Sequence, residues 1–539
     1  MKRHFTRRFP IISIFILIGL AGGLIVAAAP RIAMADAPAR AEHVVVVVWD
    51  GLRPDSVNEQ DTPTLFKLSK EGTTFANHHS VYVSSTEVNG TALATGGYPR
   101  TTGIVANAEY RAEIDPLQSF GTESEAALRK ADELSHGRYI GLPTVAEILQ
   151  RSGRRTAIAG SKQVALLADR GKRSDGIGVS GVLYQGKTLP PGLRSLLVNS
   201  RGEFPKTADS TMAPNRVVDA WTTRALVENM WANDVPTFSM LWLSEPDYAQ
   251  HGSGPNSAVA REALKSSDEN LGRVLRALEA AKVRDSTAVF VVSDHGFSTI
   301  GRAIDTAALL NDAGFQAFQK LPPTPAPGSV MVVANGGTVC LYVVGRDKRT
   351  VQRLVEFLQQ SDFAGVIFCR FDIEGTFSLS AANIDAATAP DIVVSLRWTA
   401  ATSRTGMPGT IVSDARKRAV GQGMHASLSR FDMHNTLIAA GAGIRPGFTD
   451  TLPSGNADVA PTVLALLGMA ASTEMDGRAL EEALPDHERF TADPVSETLE
   501  AGHRGEKSQW HQYLRRTKLG RQLYLDEGNG EATPLKKPE

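Results

Sequence analysis

Val44 to Trp49 is an unbroken apolar run, five of its six residues valine, and it stops on Asp50-Gly51. A short apolar run without polar alternation predicts a strand covered on both faces, as in a parallel sheet. The pattern recurs over Thr156–Gly160, Thr237–Leu243 and Thr287–Val292, and further strands are expected over Thr338–Val344, Gly365–Phe371, Asp391–Leu396 and Leu437–Gly441. Between them lie segments of helical period. One opens at Leu142-Pro143 with proline near its first turn, one covers about 213–232, and a long amphipathic one covers about 258–281 and packs on the sheet. Gln352–Leu358 continues the alternation, and Asp458–Gly468 begins with a capping aspartate and Pro461 in its first turn. Strands and helices alternate without a clear linker, which predicts one large α/β domain with insertions over 36–485. The insertions are placed near 108–140, 176–206 and 304–403. The second, rich in glycine and proline, reads as a surface cap, and the third as sheet extension plus insertion. Residues 486–539 form a charged, apolar-poor extension that wraps the surface, with the last ten residues expected to lack fixed structure.

The candidate chemistry sits where the strands end. Asp50 follows the first strand, and ligands in open α/β sheets bind at the carboxyl edge, so Asp50 is a metal ligand or simply a turn residue. Asp247 and His251 are four apart, which puts a carboxylate and an imidazole on one helical turn, a zinc-type pair or a cap with a surface histidine. Ser293-Asp294-His295-Gly296 brings two more ligand-type side chains to the same edge. Lys162 lies just past a strand, where its ammonium would meet a phosphoryl oxygen, and Arg170 would clamp one bidentately. An exposed lysine and a salt-bridged arginine is the alternative.

The order of short motifs adds to this. Asp50 to Asp55 reads Asp-Gly-x-Arg-Pro-Asp, Thr62 to Leu65 Thr-Pro-x-Leu, Thr86 to Asn89 Thr-x-x-Asn, Thr95 to Pro99 Thr-Gly-x-x-Pro, and Gly103 to Asn107 Gly-Ile-x-x-Asn. In this order, with Ser-Asp-His-Gly and Pro-Asp-x-x-x-His downstream, the chain resembles the alkaline phosphatase superfamily, most closely its type I phosphodiesterase/nucleotide pyrophosphatase branch. Thr102, Val88 and Ala426 depart from the branch's usual histidine, proline and glycine. The resemblance implies a doubly wound, mostly parallel sheet with helices on both faces and the site at its carboxyl edge. It implies two divalent metals, zinc by preference, one held by Asp50, Thr86, Asp294 and His295 and the other by Asp247, His251 and His425. His434 competes with His425 and is assigned a structural role. Thr86 becomes the nucleophile of a phospho-threonine intermediate, and Asn107 a donor to a nonbridging phosphoryl oxygen. A threonine hydroxyl needs a base or a metal to lose its proton, and no histidine lies beside Thr86 in sequence. The substrate implied is a small phosphate ester, a nucleotide-type diester or pyrophosphate in preference to a monoester. A mutase, a sulfatase and a non-catalytic binding protein fit less well: the mutase's large insertions, the sulfatase's nucleophile turn and any loss of ligands are not seen.

Composition narrows partners and compartment. A formal net charge of −1 over 539 residues gives no electrostatic case for nucleic-acid or membrane-surface binding. Lys2, Arg3, Arg7 and Arg8 precede an apolar stretch from Ile11 to Ala29, and Ala33-Met34-Ala35 supplies a small-x-small site, so residues 1–35 read as a signal peptide of an exported, periplasmic or secreted protein. Membrane contact is expected only if that stretch stays uncleaved as an anchor. Cys340 and Cys369, the two cysteines, either pair or remain buried thiols in neighbouring strands.

Overall fold

The computed structural model describes residues 39–171, 180–206, 215–414, 418–485 and 493–535. The expected signal segment lies outside the described residues, as do positions 176–179 of the second insertion. The apolar runs form a central sheet of β1 (His43–Trp49), β2 (Thr73–Phe75), β3 (Thr156–Gly160), β4 (Gly181–Tyr184), β5 (Lys187–Leu189), β6 (Phe238–Leu243), β7 (Thr287–Val292), β8 (Leu437–Gly441) and β9 (Phe448–Asp450). Their spatial order is β9-β2-β8-β7-β1-β6-β3-β4-β5. β1 lies at the centre, parallel to β7 on one side and β6 on the other. Only β8 and β5 run against their neighbours, so the sheet is mixed but mostly parallel. Helices cover both faces because the valine run faces both ways. Val44, Val46 and Val48 enter one apolar core, and Val45, Val47 and Trp49 enter the other.

Helix α1 (Thr86–Thr95) packs against α4 (Asn456–Leu466), whose Ala457, Val459 and Ala460 lie in the first of these cores. Helix α2 (Asp247–Ser253) is the single turn after β6, and α3 (Ala258–Ala280) lays Leu264, Leu271, Val274 and Leu278 into the second core. The α3 stripe follows helical spacing, and Ser257 caps it by accepting from the Ala260 N–H.

Three segments depart from the sequence expectation. The described part of 176–206 is not a surface cap: β4 pairs in parallel with β3, and β5 turns back on it, so this segment completes the central sheet's edge. Its short strands are flanked by Gly and Pro, which hid them. Residues 304–403 do not extend the central sheet. Val330–Ala334 and Thr338–Val343 form a hairpin closed by the Asn335 N–H on the Thr338 carbonyl at 2.8 Å, and with Ile392–Leu396 and Ala364–Cys369 they build a separate six-stranded sheet. Apolar runs mark a buried strand but not its ladder partner. Cys340 and Cys369 are free buried thiols, and the strand Ile392–Leu396 stands between theirs.

The C-terminal extension is also structured. Val495–Arg504, Ser508–Leu519 and Gln522–Pro534 form an antiparallel three-stranded sheet, so the last ten residues are strand as far as Pro534. Alternation explains it: Trp510, Gln512 and Leu514 point inward from one face, and sparse apolar residues at period two are enough to bury a strand face. Trp510 joins the core of the six-stranded sheet and donates from Nε1 to the Gly375 carbonyl at 3.0 Å, while Leu514 and Leu525 join the first core of the central sheet.

One buried side chain fixes two strand tips. Asp219, on the helix Arg216–Arg224, accepts from the Ser244 and Glu245 N–H groups at 2.8 and 3.0 Å and from the hydroxyls of Ser161 and Ser244. Burial pushes its carboxyl up to about 6, although those hydrogen bonds favour the charged form. Replacing Asp219 by Asn leaves an amide N–H₂ facing donors and is expected to cost about 2–3 kcal/mol in urea unfolding. Trp510→Ala is expected to cost about 3–5 kcal/mol by the same measurement; a loss below about 1 kcal/mol would mean the C-terminal sheet is not part of the core.

Candidate active site

Three neighbouring strands deliver their ends to one place. β1 ends on Asp50, β6 leads through Glu245-Pro246 into Asp247, and β7 is followed by Ser293, Asp294 and His295. The tips are laced together: the Gly51 N–H donates to Asp294 Oδ1 at 3.0 Å, the Leu52 N–H to Ser293 Oγ at 2.8 Å, and the Asp247 N–H to the Asp50 carbonyl at 3.0 Å. Gly51 turns the chain with φ +73°, and a Cβ there would stand 2.9 Å from the Phe297 ring.

Two groups of ligand-type side chains result, Asp50 with Asp294 and His295, and Asp247 with His251 and His425, all buried. Thr86 is the first residue of α1, and its Oγ1 lies 3.3 Å from His295 Nε2. His425 reaches the site from the loop after Gly423–Met424, where Ala426 holds φ +76°, a left-handed conformation that favours glycine. The Gly337 N–H on the His425 carbonyl at 2.9 Å anchors that loop.

The imidazoles share a pattern. His251 Nδ1 faces the Gly423 carbonyl at 3.0 Å, His295 Nδ1 the Gly296 carbonyl at 2.9 Å, and His425 Nδ1 the Ser84 carbonyl at 3.0 Å. A carbonyl only accepts, so each Nδ1 carries the proton. Burial holds all three rings below the usual histidine range, most strongly His425 with His295 and His251 beside it, so each Nε2 presents a lone pair. Those lone pairs face other acceptors: His251 Nε2 is 3.1 Å and His425 Nε2 3.7 Å from Asp247 Oδ1, and His295 Nε2 is 3.3 Å from Asp294 Oδ2 and 3.5 Å from Asp50 Oδ1. Asp50 Oδ1 and Asp294 Oδ2 are buried without a hydrogen-bond partner. Acceptors converging on acceptors inside a buried site are what bound cations resolve, so the residues present fit divalent metals.

Lys162 stands between the two groups. Its Nζ donates to Asp50 Oδ2 at 2.7 Å and to Asp247 Oδ2 at 2.9 Å. Burial opposes its charge, but Asp247 and Asp50 outweigh that and hold its pKa well above the ordinary lysine value. Arg170 is not brought to these groups: it pairs with Asp132 at 3.2 Å and Glu147 at 3.4 Å. Asn107 Oδ1 accepts from the Glu87 N–H at 3.1 Å, which fixes the amide with Nδ2 as its remaining donor. His434 lies with His79 and Asp526 instead of the strand tips.

Two features carried no motif. Arg418 lines a cavity of about 430 Å³ with Asn107, His425 and Asp414, and residues of the first and third expected insertions, among them Ala108, Ser119, Gln319 and Asn335, form part of its wall. Glu87, directly after Thr86, is buried; burial and the neighbouring Glu123 push its carboxyl well above the usual range. The charge of Glu87 inside an otherwise uncharged helix was the available signal.

Comparison with known proteins agrees with this geometry. The model of the type I phosphodiesterase / nucleotide pyrophosphatase family matches residues 44–404. The bis(5'-adenosyl)-triphosphatase enpp4 of Xenopus laevis is 26% identical over 271 residues, which cover 50% of each chain. Human ectonucleotide pyrophosphatase/phosphodiesterase family member 7 is 24% identical over 262 residues, 48% of each chain. The chain thus spans about half the length of the curated relatives it matches. Among solved structures, human ectonucleotide pyrophosphatase/phosphodiesterase 5 superposes with a TM-score of 0.55 at 16% identity over 82% of this chain and 99% of that one. The murine form in complex with AMP gives 0.52 at 17% identity, over 80% and 96%. The likeness to these structures is one of fold, an alkaline phosphatase-like mixed sheet with helices on both sides. With its strand-tip motifs inside the matched span, the chain belongs to the type I phosphodiesterase / nucleotide pyrophosphatase family.

Proposed function

We propose that this protein is a metal-dependent hydrolase of phosphodiester or pyrophosphate bonds in nucleotide-type substrates. One observation carries the reading: two buried ligand groups lie side by side, joined by Lys162 and by the stacked His295 and His425 rings, with Thr86 Oγ1 at the start of a helix 3.3 Å from His295 Nε2. Asp50, Thr86, Asp294 and His295 would hold one divalent cation and Asp247, His251 and His425 a second, with zinc the best match to this mixture of imidazole and carboxylate. Bound there, the cations would lower the hydroxyl's pKa and offset charge on the phosphoryl oxygens.

The chain's own residues account for the rest. Thr86 Oγ1 attacks phosphorus, the Thr86 O–P bond forms as the bond to the leaving oxygen breaks, and water then cleaves the phospho-threonine to regenerate the hydroxyl. The start of α1 would turn the positive end of its helix dipole toward the phosphoryl group, with the Glu87 N–H of that turn holding Asn107 in place. Asn107 Nδ2 donates to a nonbridging oxygen, and Arg418 places a cation on the cavity wall. Lys162 balances the carboxylates of both groups.

Charge decides between diester and monoester. A dianionic monoester needs more positive charge than a diester, and with Lys162 held by two carboxylates and Arg170 by two others, Arg418 is left to supply it from the cavity wall, a cation suited to a single negative charge. A monoanionic diester tolerates this, and the exposed Tyr248 ring beside Asp247 offers a surface for a nucleoside base. The AMP bound by murine ectonucleotide pyrophosphatase/phosphodiesterase 5 and the dinucleotide in the name of the enpp4 relative support the substrate class. Export is proposed from the N-terminal sequence alone; no helix among the described residues is long and apolar enough to cross a membrane.

Chelation is expected to abolish hydrolysis and zinc to restore it, and Thr86→Ala is expected to remove the covalent intermediate and nearly all turnover while leaving circular dichroism unchanged. Full activity after exhaustive chelation, or wild-type rates in the Thr86 variant, would falsify the reading. An aryl nucleotide diester is expected to show a higher kcat/KM than the matching aryl monoester. Arg418→Ala should lower kcat/KM on the diester about tenfold, roughly 1.4 kcal/mol, and Arg170→Ala should leave the diester-to-monoester ratio unaltered. A monoester preference that collapses in Lys162→Ala would make this a phosphatase instead.

A further inference from the structure

The geometry points to a further cation site, separate from the strand tips, built from His79, His434 and Asp526. One ligand atom from each lies within 4.8 Å of the others. The local chemistry repeats that of the active site. His79 Nδ1 faces the Ser454 carbonyl at 3.0 Å, as His251, His295 and His425 face theirs, so Nδ1 carries the proton. Its Nε2 then stands 3.0 Å from Asp526 Oδ1, close to the 3.1 Å between His251 Nε2 and Asp247 Oδ1. Asp526 is itself positioned, because the Thr517 hydroxyl donates to its other oxygen at 3.0 Å. The His434 ring lies 4.4 Å from that of His79, centroid to centroid. No hydrogen bond to a His434 ring nitrogen is formed among the described residues. A carbonyl-oriented imidazole with a hydroxyl-oriented carboxylate has the outer contacts that fix metal ligands.

The donor set names the ion class. Two imidazoles and a single carboxylate suit zinc or a neighbouring transition metal far better than calcium or magnesium, which call for an oxygen-rich shell. A cavity of about 20 Å³, with room for about one water, adjoins His79 and is also lined by Gly455 and Tyr524. Position suggests the role. His79 precedes the nucleophile turn, His434 follows the short helix Arg430–Met433, and Asp526 lies on the last strand, so an ion here would tie the C-terminal sheet to the catalytic domain. A proton on His79 Nε2 would satisfy the same contact with Asp526, and zinc binding separates the two.

The test uses the full-length protein, stripped with chelator and reloaded with zinc alone, beside His434→Ala and Asp526→Asn. Elemental analysis is expected to find one zinc per chain fewer in each variant than in wild type. The rise in Tm on zinc addition should be smaller in the variants, and their hydrolytic rates should stay within about twofold of wild type. Asp526, whose side chain is 16% exposed, gives the count if the His434 variant does not fold. Equal zinc content in wild type and variants would overturn the proposal and leave a His79–Asp526 ion pair. The readout is a difference, so failure of the two-cation reading of the active site would change the total in all three proteins without changing the expected gap.

Discussion

Three carboxylates and three imidazoles buried within reach of one another are the constraint around which this molecule is built. Asp50, Asp247 and Asp294 all lie within 2% of complete burial, where an uncompensated charge is prohibitively costly. Lys162 offsets part of that charge, and oriented N–H groups of Gly51 and Leu52 lace the β1 and β7 tips. What remains, lone pairs facing lone pairs, is a donor set that fits divalent cations. The parallel strands make the arrangement possible, since each parallel neighbour delivers its carboxyl end to the same edge of the sheet.

Holding those groups still falls to residues outside the two ligand groups. Asp219 gathers the tips of β3 and β6, and Asn456 donates to the Asp294 carbonyl at 2.7 Å and to Asn89 Oδ1 at 2.9 Å, linking α4 to both the ligand loop and the nucleophile helix. These are short hydrogen bonds between distant parts of the chain. They give the site a geometry that the ligands alone would not hold, because Asp50, Asp294, His295 and His425 sit on loops, while Asp247 and His251 sit on the short helix α2.

The six-stranded sheet and the C-terminal sheet have a different relation to the chemistry. The first supplies one wall of the cavity through Val333, Asn335 and Gly336, joined to the segment after Asn107 by the Ala108 N–H on Asn335 Oδ1 at 2.8 Å. The second packs behind it through Trp510 and Leu514. These parts therefore shape the cavity wall, and the Gly337 N–H on the His425 carbonyl ties the six-stranded sheet to the ligand groups as well.

The sequence determined the local elements and the kinds of chemistry. A run of valines could only be a doubly covered strand, a carboxylate four residues before a histidine could only share a helical turn with it, and the motif order singled out the side chains later found together. Tertiary structure decided which of them met. Lys162 and Arg170 both follow β3, one directly and the other after the short helix Ala165–Ala168, yet one is drawn between Asp50 and Asp247 and the other to Asp132 and Glu147, because the direction of a loop side chain is set by the surfaces packed around it. His425 and His434, nine positions apart, were divided in the same way, and Arg418 was invisible until the cavity existed. Ladder partners were hidden for a related reason: apolar alternation records that a strand face is buried, and only long-range packing chooses the strand beside it.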